Sequence, residues 1–387
     1  MRPGAGVGLL AASIAAAGPA VGATQAPRAR ELGIPFAFGG PGPDDAITDV
    51  PGVEVGHATL VEGEDVRTGV TVVLPRGRGE DARRPVFGGS FSLNGNGEMT
   101  GTAWLEESGL LEGPIALTNT NSVGVVRDAL IAYAARRWPP EDDGWTSWSL
   151  PIVAETWDGT LNDIYGMHVR AEHVFQAIEA ARPGPVAEGA VGGGTGMVCY
   201  EFKGGIGTAS RRLGEEDGGF AVGVLVQANF GARHQLLVAG IPVGPEIPVA
   251  STGGEGQGSI IVVVATDAPL LPHQTKRLAR RAALGLARTG SVAGNGSGDL
   301  FVAFSTANPG AGAADGVVEL RMLPNERMNL LFEATVGATE EAIVNALVAG
   351  RTTTGFRGRT VPGLPHERVR EILRRHGRLV EPTAPSR

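Results

Sequence analysis

The most constraining feature of this chain is a junction in its second half. From Gly240 to Gly258 the sequence carries Pro242, Pro245 and Pro248, then the run Ser251-Thr-Gly-Gly-Glu-Gly-Gln-Gly258. Gly and Pro interrupt helix and strand alike, so this stretch reads as a flexible linker. Composition then changes within one residue. Ser259-Ile-Ile-Val-Val-Val-Ala265 is a continuous, mostly β-branched run, the pattern of a strand buried on both faces.

Shorter runs of the same kind precede it. Val53–Val55, Val70–Leu74, Ile115–Leu117, Ile152–Ala154 and Val222–Gln227 are strand-like and bounded by turn-forming residues. Ser122–Arg136 places Val125, Val126, Ala129, Leu130 and Tyr133 at helical spacing, with Ser122 as a cap, and His173–Ala181 reads as another helix. After the junction, His273–Arg288 predicts a helix with Leu278, Ala282, Gly285 and Leu286 on its apolar face. Lys276, Arg277, Arg280 and Arg281 lie on its solvated face. A strand follows at Leu300–Ser305. Another is expected near Asn329–Thr335, then a helix Glu340–Ala349 capped by Thr339, with Glu340 and Glu341 meeting its N-terminal dipole. This mixed order predicts layered α/β packing.

Several function classes recede. A formal net charge of −8 argues against nucleic acid as a partner, because phosphate binding needs a basic surface. The single cysteine, Cys199, lies among Met197, Val198 and Tyr200 and reads as a buried structural thiol. His168 and His173 are five positions apart, poor spacing for one metal on a helix, so no metal is expected. No Gly-x-Ser-x-Gly elbow occurs, and Gly192-Gly-Gly-Thr-Gly196 lacks the lysine of a phosphate loop and reads as a turn. Arg2 followed by the Ala/Gly/Leu-rich stretch Gly6–Ala23 has the form of an export signal cleaved after Ala23. That implies a periplasmic or secreted protein, free of the membrane once residues 1–23 are removed. Residues 24–45 read as a surface loop and 377–387 as a frayed tail.

What remains is the junction itself. A hydroxyl residue following a flexible glycine suits self-cleavage: Ser259 attacks the preceding carbonyl, an N-to-O acyl shift follows, and hydrolysis frees a new α-amino group. That amine, with a reference pKa of about 7.7–8.0, is a fitting base for the hydroxyl beside it. Gly258 places no Cβ in the strained bond. Three further groups carry chemistry. Ser297 and Asp299, in Gly294-Asn-Gly-Ser-Gly-Asp299, form either a proton relay or a simple turn. Glu155, in Glu155-Thr-Trp-Asp-Gly159, ends a strand and suits a substrate ammonium. Asn229, in Gln227-Ala-Asn-Phe-Gly231, ends another and suits an oxyanion.

Together these segments resemble the family of L-aminopeptidase/D-amino-acid esterase-amidases, which includes the β-peptidyl aminopeptidases. The matching stretches begin with Thr48-Asp-Val-Pro-Gly-Val-Glu-Val-Gly-His57, Thr68-Gly-Val-Thr-Val-Val73 and Asn94-Gly-Asn-Gly-Glu-Met-Thr-Gly101. They continue through Leu117-Thr-Asn-Thr-Asn-Ser-Val-Gly-Val-Val-Arg-Asp128, Gly192–Gly207, Gly258–Gln274, Gly294–Asn308 and Ala334-Thr-Val-Gly-Ala-Thr-Glu-Glu-Ala-Ile-Val-Asn345. The resemblance implies an α/β fold, a four-layer αββα sandwich like that of the N-terminal nucleophile hydrolases. It implies cleavage between Gly258 and Ser259, giving a 24–258 α-chain and a 259–387 β-chain of one hydrolase domain. By the same resemblance Ser259 is the nucleophile, Ser297 and Asp299 support it, Asn229 lies on the oxyanion side, and Glu155 recognises the substrate's ammonium. Where the family commonly has Tyr two residues after that Glu, this chain has Trp157, which lacks a hydroxyl. Asp299 is one methylene shorter than the family's usual Glu. The implied substrate is a small peptide or amino-acid amide, the assembly a homo-oligomer of processed protomers, and no cofactor is required. Two alternatives stay open, an acyl transferase like the ornithine acetyltransferases and a binding protein on the same scaffold. The choice among L-, D- and β-amino acids is open too.

Overall fold

The structure, a computed structural model, describes residues 27–139, 148–248, 258–313 and 315–380. The export signal read over 1–23 and the linker run 249–257 lie outside these residues. In chain order the first strands are β1 (Glu54–Glu62), β2 (Val66–Leu74), β3 (Val86–Gly95), β4 (Leu110–Leu111), β5 (Ile115–Asn119) and β6 (Ile152–Thr156). The short pair β7 (Val198–Cys199) and β8 (Phe202–Lys203) leads into β9 (Gly205–Arg212) and β10 (Ala221–Asn229). A second short pair, β11 (Leu237–Val238) and β12 (Ile241–Pro242), precedes β13 (Ser259–Thr266) and β14 (Gly298–Ser305). The helices are α1 (Thr102–Ser108), α2 (Val123–Arg137), α3 (Ala171–Glu179), α4 (Pro272–Arg288), α5 (Met328–Ala349) and α6 (His366–Arg375).

These strands form a four-stranded sheet, β1-β2-β5-β6, and a six-stranded sheet, β4-β3-β14-β13-β10-β9. Parallel neighbours need a long crossover. Accordingly α2 lies between the parallel strands β5 and β6, and α4 between the parallel strands β13 and β14.

Alternation along β13 explains the layering. Ile260, Val262 and Val264 pack outward with Leu278, Ala282 and Leu286 of α4 and Leu331, Ala338 and Ala342 of α5. Ile261, Val263 and Ala265 pack inward with Leu117, Ile152 and Ala154 of the smaller sheet. The smaller sheet turns Val70, Val72, Ala116 and Val153 outward onto Val126 and Leu130 of α2 and Val174 and Ile178 of α3. Helices, sheet, sheet, helices is the αββα order. The Ile and Val side chains of β13 are fully buried, each contributing roughly 1.5–3 kcal/mol of burial.

Ser122 stands at the N-cap of α2 but makes no side-chain cap bond, α3 runs two residues earlier than expected, and the largest departure is in α5. Met328–Ala349 is a single helix, with no strand near Asn329–Thr335 and no cap at Thr339. The Thr335 and Thr339 hydroxyls donate to the carbonyls one turn back, at Leu331 and Thr335. Glu340 and Glu341 are buried ion-pair partners within the helix: Glu340 meets Arg288, and Glu341 meets Arg30 and Arg211. The helix is buried on nearly every side over its second half, so no amphipathic stripe announces it. The start of the 377–387 tail is docked, with Val380 N–H donating to Gly33 O at 2.9 Å. Cys199 is fully buried, and burial pushes its thiol pKa up.

Candidate active site

The site lies where one end of the larger sheet meets the smaller one. Ser259 is the first residue of β13, and its direct partner on antiparallel β10 is Asn229. Alternation places both on the inward face, in step with Ile261 and Leu225 of the central core. The residue before Ser259 is sterically limited. A Cβ on Gly258 would fall 2.0 Å from Asn229 O and 3.1 Å from Phe230 Cα, so only glycine fits.

On its other side β13 runs parallel to β14, with Ile260 beside Asp299. Gly298 N–H donates to Ser259 Oγ at 3.0 Å, while Ser297 Oγ donates to Asp299 Oδ1 at 2.6 Å. The Ser297–Asp299 pair therefore flanks the residue that bonds the Ser259 hydroxyl. The pairing of β14 with β3 shifts register between Asp299 and Leu300, a bulge of the kind that re-aims side chains beside active sites. The loop ahead of it is held from β3. Asn94 Nδ2 donates to Gly294 O at 2.6 Å and Asn96 Nδ2 to Gly296 O at 2.8 Å. Burial pushes the Asp299 carboxyl up to about 6, against the opposing bonds from Ser297 and from Ile260 N–H.

Glu155 reaches the same place from the smaller sheet. It is buried, yet both oxygens are held: Oε1 accepts Glu98 N–H at 3.0 Å, and Oε2 accepts the Thr120 hydroxyl. Burial raises its pKa, and these two bonds oppose the rise. Gly97 stands between this carboxylate and Gly298, the residue bonded to Ser259. A Cβ there would lie 3.2 Å from Glu155 Oε1 and 3.2 Å from Gly298 Cα.

Asn229 has both ends of its amide engaged. Oδ1 accepts Val198 N–H at 2.8 Å, and Nδ2 donates to Trp157 O at 2.8 Å. Among the described residues nothing takes the second Nδ2 hydrogen. Trp157 enters the site through its carbonyl. Its ring is half exposed and lies over Gly159, where a Cβ would be 2.4 Å from the indole.

All the residues singled out from the sequence thus converge: Gly258, Ser259, Ser297, Asp299, Asn229, Glu155 and Trp157. Sequence reading did not assign roles to Thr120, Glu98, Gly97 or Asp158. The first three fall inside or beside the quoted stretches around Asn94 and Leu117, but only the tertiary fold brings Thr120 to Glu155. Asp158 is fully buried beside Trp157, bonded by Asn162 Nδ2 at 3.0 Å, and burial pushes it up to about 6.

A serine opening the central strand of a four-layer sandwich, with an amide and two carboxylates around it, defines a variant of the N-terminal nucleophile hydrolase fold. The chain belongs to peptidase family S58, which matches residues 45–361, and is a serine aminopeptidase. It is 53% identical to beta-peptidyl aminopeptidase BapA of Sphingosinicella microcystinivorans, over 92% of this chain and 94% of that protein. Among solved structures it superposes on a Burkholderia sp. beta-aminopeptidase with a TM-score of 0.84, at 52% identity, covering 90% of this chain and 99% of the other. It is similarly close to the L-aminopeptidase D-Ala-esterase/amidase of Ochrobactrum anthropi, described as a new variant among the Ntn hydrolase fold. There the TM-score is 0.85 at 45% identity, covering 91% and 99%.

Proposed function

We propose that the chain cuts itself between Gly258 and Ser259, into 24–258 and 259–387, and that the freed Ser259 removes N-terminal β-amino acids from peptides and amides. The observation that carries this reading is the placement of Ser259 Oγ on Gly298 N–H, between Asn229 and the Ser297–Asp299 pair. The β-amino-acid preference rests on the beta-peptidyl aminopeptidases at 53% and 45% identity.

In this reading Glu155 takes the substrate's free ammonium. Ser259 Oγ attacks the acyl carbon, and its proton passes to the Ser259 amine or through Ser297 to Asp299. The spare Nδ2 hydrogen of Asn229 meets the developing oxyanion, an interaction worth about 3–4 kcal/mol in such sites. The leaving amine takes a proton and departs. Water then attacks the ester, releasing the amino acid and restoring Oγ–H. No step calls for a cofactor. We also propose a periplasmic or secreted location and an oligomer of processed protomers. Among the described residues no helix is long and apolar enough to cross a membrane.

The test is intact mass with N-terminal sequencing, followed by rates on paired β- and α-aminoacyl amides. Two fragments, one beginning Ser259-Ile-Ile-Val, and a higher kcat/KM for the β-amide support the reading. A stable uncut chain that hydrolyses amides would overturn it.

A further inference from the structure

Lys203 is one of two lysines in a chain that otherwise uses arginine for its basic side chains. It is fully buried at the end of β8, and among the described residues no carboxylate pairs with it. Its ammonium donates to three backbone carbonyls: Gly194 O at 3.1 Å, Met197 O at 2.9 Å and Gly204 O at 2.9 Å. A compact ammonium with three donors suits three converging acceptors. A planar guanidinium, with its fixed fork, does not.

The carbonyls it gathers belong to the loop that sets Asn229. Met197 precedes Val198, whose N–H fixes Asn229 Oδ1. Met197 also meets the strand that carries Glu155, because the Thr156 hydroxyl donates to Met197 Sδ at 2.9 Å. Residue 157 follows directly, and its carbonyl fixes Asn229 Nδ2. The two bonds that orient the Asn229 amide therefore both hang on segments joined at Met197. Gly204, on the other side of the clamp, packs against β10 itself: a Cβ there would lie 2.4 Å from Ala228 O. Burial draws the Lys203 ammonium down to about 7, and the carbonyl cage opposes that by favouring the charged form.

We propose that Lys203 is a positioning residue for catalysis, holding the Gly194–Val198 loop so that the Asn229 amide keeps its free hydrogen aimed at the oxyanion. This rests on the oxyanion role proposed for Asn229. Because an oxyanion donor acts in the transition state, misplacing it lowers kcat and leaves KM nearly unchanged. A displacement of about 1 Å costs on the order of 100-fold.

The experiment is a double-mutant cycle of Lys203→Met and Asn229→Ala. Self-processing rate is followed by intact mass, and kcat and KM are normalised to processed protomer. Lys203→Gln, which keeps two donors without burying a charge, serves as the milder variant if Lys203→Met fails to fold. Expected are a roughly 10- to 100-fold fall in rate for Lys203→Met, a smaller fall for Lys203→Gln, KM within about twofold, and no further loss when either is added to Asn229→Ala. Additive losses in the double variant, or an unchanged kcat in both Lys203 variants, would overturn the inference while leaving the Asn229 assignment standing. Full kcat in Asn229→Ala would remove the oxyanion assignment, and the role of Lys203 with it.

Discussion

Two buried clusters of charge in this molecule are built on opposite terms. Against the second half of α5, Arg28, Arg30 and Arg211 meet Asp45, Glu188 and Glu341, with Arg211 and Glu341 fully buried at 2.7 Å. Cations and anions there are matched three against three. At the site, Glu155 and Asp299 are bonded by hydroxyls and backbone N–H groups, with no cationic partner among the described residues. The first cluster is complete without a ligand. The second carries uncompensated negative charge in a low-dielectric setting, which a substrate ammonium is suited to meet. Structure is stabilised where charges cancel, and the field available for recognition is kept where they do not.

The sharpest way to break this contrast is at Ser259. Ser259→Ala is expected to abolish both self-cleavage and amide hydrolysis, a loss on the order of 10⁶-fold, without loss of fold. Intact mass, turnover and circular dichroism check it, and residual hydrolysis near the wild-type rate would refute the assignment. The uncut chain of that variant is also a convenient single-chain background for stability. In it, Arg211→Met, which leaves Glu341 with Arg30 alone, is expected to lose about 3–5 kcal/mol in urea unfolding. The same change in the processed enzyme should leave kcat near wild type. A large kcat loss there would mean the two clusters are not separable.

Next in size is Asp299. Its carboxyl pKa rises from an ordinary 3.8 to about 6 in the fold, so the folded state holds the proton more tightly than the unfolded chain. The resulting stability penalty is absent below about pH 4, grows between 4 and 6, and is complete above 6. Asp299→Asn is therefore expected to stabilise the Ser259→Ala background more at pH 8 than at pH 4, as thermal unfolding at the two values would reveal. In the active enzyme it should lower kcat/KM by about 100-fold. It should also remove an acid limb centred near 6, below which wild-type kcat/KM falls about tenfold per pH unit. A limb that persists near 8 in the variant would assign the proton to the Ser259 amine instead. The smallest effect belongs to the half-exposed pair Lys276–Glu106, where Lys276→Ala should cost less than about 1 kcal/mol.

How much of this was legible beforehand follows from where the information sits. β13 and α4 declare themselves because Ile260–Ala265 has no polar interruption and His273–Arg288 alternates its faces at helical period. α5 does not, because a helix buried nearly all round has no period to read, and its threonines imitate a strand. Glu155, Asn229, Ser297 and Asp299 are visible as polar residues at strand ends. Thr120 and Lys203 are not: each acts through a partner that local sequence does not specify. Thr120 meets a carboxylate 35 residues away, and Lys203 meets carbonyls, which every residue has.

The strand order of the larger sheet has one further consequence. Reading across β4-β3-β14-β13-β10-β9, the middle two strands come from the segment after Ser259 and both outer pairs from the segment before it. The cleavage proposed at that bond would leave a two-strand insert clamped inside the other fragment's sheet. An uncut chain would fold as a first-order process, whereas the enzyme cleaved as proposed would, once unfolded, have to reassemble from two separate polypeptides. Its refolding yield should rise with protein concentration, while the uncut Ser259→Ala chain refolds at a rate independent of it. Such processing would thus turn a unimolecular folding reaction into an association reaction.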